Sequence, residues 1–111
     1  MTVAVSCRLL CGWWQRLRGL LWTDPSSSGV VLLCPCRSIH TFGMSYPIDV
    51  AFLSEDGLAV LVRRSVSPGR MLSCRKAELV LERPSSELEW FSEGDRVDLV
   101  ARGCVIEGRS R

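Results

Sequence analysis

The 111-residue chain carries one lysine, Lys76, and one histidine, His40. Nowhere does it run the ~18 unbroken apolar residues that a membrane-spanning helix requires. Each shortage removes a class of function. A nucleic-acid surface clusters basic residues with exposed aromatics between them, and only Trp13 to Arg18 comes near that pattern. No nucleic-acid partner is expected. The opening stretch Met1 to Trp22 is apolar, yet Arg8, Arg16 and Arg18 interrupt it, so the charged start, unbroken apolar core and small-residue cleavage site of an export signal are missing. A soluble, cytoplasmic protein without a membrane span is expected. Internal repeats and complete catalytic motifs are missing too, so no residue is named as catalytic.

What is present is ordinary for a folded domain: 47% hydrophobic residues and 23% charged ones. At this length a second core would leave each half too small to bury enough apolar surface, so residues 1–111 are read as one domain. The net charge of +2 gathers at the front, where Arg8, Arg16, Arg18 and Arg37 face only Asp24. Cys7, Cys11, Cys34, Cys36, Cys74 and Cys104 would form a disulfide framework in a secreted chain. Without an export signal they are read as reduced, core-filling residues.

Periodicity predicts one α-helix, over residues 12–22, from Trp13, Trp14, Leu17, Leu20 and Leu21. It ends before Pro25 and the turn-favouring serine run. The β core is expected over residues 29–107 and a frayed tail over 108–111. Val30 to Cys34 reads as a buried strand. Ser38 to Met44 alternates, with Ser38, His40, Phe42 and Met44 on one face, and so does Ile48 to Leu53. Glu55-Asp56-Gly57 signals a hairpin returning as Leu58 to Val62. Arg63 to Arg75 reads as a long surface connection. Further strands are expected at Val3 to Ser6, Ala77 to Glu82 and Arg96 to Arg102, with an edge strand at Cys104 to Ile106. Ser86 and Glu89 fit a capping box and a short helical turn. The architecture predicted is mainly β: a β-sandwich or partly closed barrel of short strands with one N-terminal α-helix.

Three blocks stand in a distinctive order: Arg16-Leu17-Arg18-Gly19-Leu20-Leu21, Cys36-Arg37-Ser38-Ile39-His40-Thr41-Phe42-Gly43-Met44, and Pro47-Ile48-Asp49-Val50-Ala51-Phe52-Leu53. With Pro68-Gly69-Arg70, Ala77, Val80-Leu81-Glu82 and Gly94-Asp95, this pattern resembles domain of unknown function 192 over nearly the whole chain. The resemblance implies a prokaryotic mainly-β sandwich with one helix and no agreed biochemical activity. It also implies an association with pilus-assembly components, beside which relatives are sometimes encoded. After Glu82 this chain has Pro84-Ser85-Ser86 where the family tends to place Ala-Gly.

Candidate binding residues are His40, Thr41, Met44, Asp49, Arg16 and Arg70. His40 is either a packed, hydrogen-bonded strand residue or a proton carrier tuned by a carboxylate such as Asp49. Asp49 lies in an apolar strand and needs a donor, from backbone or from an arginine such as Arg16. Arg16 and Arg70 suit a carboxylate or phosphate, or a structural salt bridge. Thr41 is also a plain strand former, and Trp13 and Trp14 read as core anchors. Cys34, Cys36 and His40 offer two thiolates and an imidazole to a metal, although the spacing is not a standard one and a fourth ligand is missing. The leading expectation is a non-catalytic module without cofactor, binding a small molecule or protein in a cleft between the His40 to Met44 strand, Asp49 and the Arg63 to Arg75 loop. The alternative is a metal-dependent or cysteine-dependent hydrolase centred on Cys34, Cys36 and His40.

Overall fold

Branched and aromatic side chains fit a pleated, half-buried surface, and the strands form where they concentrate. The computed structural model describes residues 2–10 and 29–105. Over these it has β1 (Thr2–Leu10), β2 (Val31–Leu33), β3 (Ser38–His40), β4 (Ile48–Leu53), β5 (Ala59–Val66), β6 (Met71–Ser73), β7 (Leu79–Pro84) and β8 (Arg96–Val105). The helix expected over residues 12–22 and the tail 108–111 lie outside the described residues. Among the described residues no helix is long and apolar enough to cross a membrane.

Six strands form one sheet in the order β5-β4-β7-β2-β1-β8, and β3 and β6 pair as a separate ribbon. β1 runs parallel to β2 and β8, while the other pairs are antiparallel. The sheet is not closed. At one end its edges nevertheless meet: the Ala59 N–H donates to the Asp95 carbonyl, Gly94 N–H to Ala59, and Val97 N–H to Gly57. The turn leading into β5 is fixed locally as well, since hydrogen bonds from Ser54 and then Arg96 hold the exposed Asp56 carboxyl below its usual range.

The inner strand β4, between β5 and β7, is buried at all six positions because both sheet faces are covered. On one face Ile48, Val50 and Phe52 pack with Val31, Leu33 and Val80, and with Ile39 and Met44 from the ribbon side. On the other, Ala51 and Leu53 meet Cys7, Leu32, Ala59, Leu81, Phe91 and Val97. Each large side chain buried this fully contributes about 1.5–3 kcal/mol. The ribbon therefore acts as a lid over one face of the sheet.

Three expectations need correction. The strand expected through Met44 ends at His40, because a turn over Phe42 and Gly43, with Gly43 at φ 83°, brings the Met44 N–H back to the Thr41 carbonyl. Phe42 stays outside while Met44 turns into the core. The Arg63 to Arg75 stretch is not a long connection: β5 continues to Val66 and β6 occupies Met71–Ser73. Its period was hidden by a bulge, where Ile48 pairs with Val66 but Val50 with Arg63, which puts an extra β5 residue opposite Asp49. No helical turn forms at Ser86, whose hydroxyl instead accepts the Leu88 N–H.

Candidate functional site

Two side chains from the sequence motifs, Asp49 and Thr41, are completely buried polar groups, and both hold the same segment. Asp49 sits between Ile48 and Val50 and so points to the opposite face of β4, directly across from Arg83 on β7. One carboxylate oxygen accepts the Ser65 N–H at 2.9 Å. The other lies 2.8 Å from Arg83 Nε and 3.1 Å from Arg64 Nε. A buried carboxylate is tolerated only with such compensation. Ser65 has φ 53°, a left-handed conformation rarely adopted outside glycine, and the Asp49 bond fixes its amide in the bulge. The two guanidiniums then reach onward: Arg83 to the Leu88 carbonyl, Arg64 to the carbonyls of Ser86 and Leu88. Arg83 also lies over the Trp90 ring, 4.7 Å from its centroid. Asp49 is thus the hub that ties β4, β5, β7 and the segment before β8, with its oxygens already committed to donors.

Thr41 performs the matching task at the other end of the loop. Its Oγ1 donates to the Ser67 carbonyl at 2.7 Å and accepts the Arg70 N–H at 2.8 Å. The Thr41 N–H donates to the Arg70 carbonyl, and the Thr41 carbonyl accepts the Gly69 N–H. Asp49 and Thr41 therefore clamp residues 65–70 from its two ends.

The clamp fixes an exposed surface on the ribbon. His40 is exposed, and its ring stacks on Phe42 with centroids 5.6 Å apart and planes at 25°. Met71 pairs across the ribbon from His40. Phe42 is 51% exposed and Met71 70% exposed, although both are large apolar residues. The Arg70 side chain is exposed beside them.

Of the predicted site residues, His40 and Arg70 share this ribbon surface. Thr41 lies beneath it, Met44 belongs to the core, and Asp49 faces the arginine cluster. The expected single cleft is thus divided between a buried scaffold and an outer face. Arg16 lies outside the described residues, and arginines 64 and 83 fill the role suggested for it. Cys34, Cys36 and His40 do not converge: among the described residues no three His, Cys, Asp or Glu side chains form a group able to hold a metal ion. Cys36 Sγ donates to the Ser38 carbonyl at 3.1 Å. The sequence reading missed Arg64, Arg83 and Met71, whose importance depends on strand register.

This combination of motif and fold can be set against known proteins. The family model for domain of unknown function 192, described as an uncharacterized ACR, matches residues 2–99. The chain belongs to this family. As a member of domain of unknown function 192, it also shares its fold with solved structures. A Novosphingobium aromaticivorans protein of unknown function is 15% identical with a TM-score of 0.59, the match covering 71% of this chain and 62% of that one. A candidate transcription regulator from Sinorhizobium meliloti is 19% identical with a TM-score of 0.59, covering 71% of this chain and 67% of that one. At such identities the likeness is one of fold. No curated protein matches the sequence of this family member significantly.

Proposed function

We propose that this member of domain of unknown function 192 is a non-catalytic, cytoplasmic binding module that recognises another protein through the outer face of its β3–β6 ribbon. The observation that carries the reading is the exposed group of His40, Phe42 and Met71, held on a backbone that Thr41 fixes from beneath. Large apolar side chains left adjacent on a small domain's surface mark interaction sites. A rigid support lowers the ordering cost of binding. A protein partner is favoured over a small molecule because these residues lie on an outward face. Pilus-assembly components are one candidate class, by the genomic association of relatives alone.

Site-specific photocrosslinking tests the proposal. A benzophenone amino acid placed at Phe42 should give a discrete adduct in cells, while the same group at the exposed Leu88, whose carbonyl is held by Arg64 and Arg83, should not. No adduct from position 42, or equal adducts from both positions, would overturn the proposal.

A further inference from the structure

We infer that the segment docking on the ribbon is an extended acidic peptide, with apolar side chains between its carboxylates, an inference that rests on the binding-module reading above. Charge carries it. Residues 34–46 and 67–77, which contain both ribbon strands and their flanks, include no aspartate or glutamate but supply Arg37, Arg70, Arg75 and Lys76. Arg37 is paired with Glu78 at 2.8 Å. Arg70, Arg75 and Lys76 are exposed, and none of their side chains has an ion pair or hydrogen bond with a described residue. By contrast, the exposed arginines 63 and 96, which lie outside those segments, each have a carboxylate partner. Cations without counter-charges are therefore gathered on the ribbon.

Their placement sets the form of the ligand. Arg70 immediately precedes β6, whereas Arg75 and Lys76 follow it, so positive charge brackets the exposed Met71 and its cross-strand neighbour His40. Arg75 and Lys76 sit in a turn, where the Ala77 N–H donates to the Cys74 carbonyl, so the two positive ends stand closer together than the ends of a fully extended strand. A matching ligand segment carries acidic positions on both sides of a short apolar stretch. Both ribbon strands also keep one edge outside any ladder, which offers backbone groups to an added strand. Met71 favours a peptide over a nucleic acid. An exposed, unbranched thioether adapts to apolar side chains but gives a phosphate backbone nothing, and one Phe with one His is a poor series of stacking platforms.

The test is selection from a random dodecapeptide library displayed on phage, followed by fluorescence anisotropy on the best peptide. Selected peptides should be enriched about threefold in Asp and Glu, and raising salt should weaken their binding about tenfold. Phe42→Ser, Met71→Ser and Arg70→Glu, all exposed and so compatible with folding, should each raise Kd about tenfold or more. Arg63→Ala should leave Kd unchanged. Selection of uncharged apolar peptides that still depend on Phe42 and Met71 would overturn the acidic partner and leave the binding-module reading intact. Failure to enrich any peptide, or displacement of the selected peptide by a twelve-residue oligo-dT, would also overturn the inference. The photocrosslink from position 42 judges the broader reading separately.

Discussion

Removing the fully buried Asp49 carboxylate takes the acceptor from three donors at once, the Ser65 N–H, the largely buried Arg83 guanidinium and the partly exposed Arg64 guanidinium. Loss of one partner from a buried ion pair costs about 3–5 kcal/mol, far more than an exposed pair would. Asp49→Ala should therefore lower the urea midpoint severely, and Asp49→Asn should fall between it and the parent. An unchanged midpoint would contradict the role of hub. Thr41 gives a smaller, local version of the same argument. Thr41→Val leaves the Arg70 N–H without its side-chain acceptor, at a cost of about 1–3 kcal/mol, while Thr41→Ser keeps the hydroxyl. Amide exchange at Arg70 should accelerate in the valine variant and not in the serine one.

At the scale of elements, the β4–β5 hairpin meets the start of β8 through backbone hydrogen bonds as well as the exposed Arg96–Asp56 pair. Gly57 has φ +88°, and a Cβ added there would lie 2.7 Å from the Val97 carbonyl oxygen, while the Val97 N–H donates to the Gly57 carbonyl. Gly69 has nearly the same dihedral, φ +86°, but open space around it. Gly69→Ala should cost only the conformational penalty, about 1 kcal/mol. Gly57→Ala should cost about 2–3 kcal/mol, because β8 must also shift. Comparing the two by chemical denaturation, with amide exchange at Val97, separates strain from contact. Equal losses would show that the approach of β8 to the turn is unimportant.

Across the whole molecule, the first and last strands lie side by side: β1 pairs with β8 from Thr2↔Arg96 to Leu10↔Val105. Pairing of these two strands couples the two halves of the described sheet. We expect residues 1–111 to unfold in a single cooperative step, with tryptophan fluorescence and far-UV circular dichroism tracing coincident transitions. Two separated transitions would refute the one-domain proposal.

Alternation and turn chemistry in the sequence determined much of the mainly β architecture. Ile48 to Leu53 is a strand, Gly57 sits in its hairpin turn, and Asp49 is an acid in an apolar strand that requires donors. The motif residues Ile39-His40-Thr41 and Pro47-Ile48-Asp49 also sufficed to recognise the family. The donors themselves were decided only by tertiary structure. Ser65 and Arg83 lie 16 and 34 residues from Asp49, and a two-residue period assigns a side chain to a face without naming the strand beside it. The same limit hid the division between Met44, packed in the core, and Phe42, left exposed. A turn after His40 breaks the alternation that had placed them together, and the contact between ribbon and sheet determines which is covered.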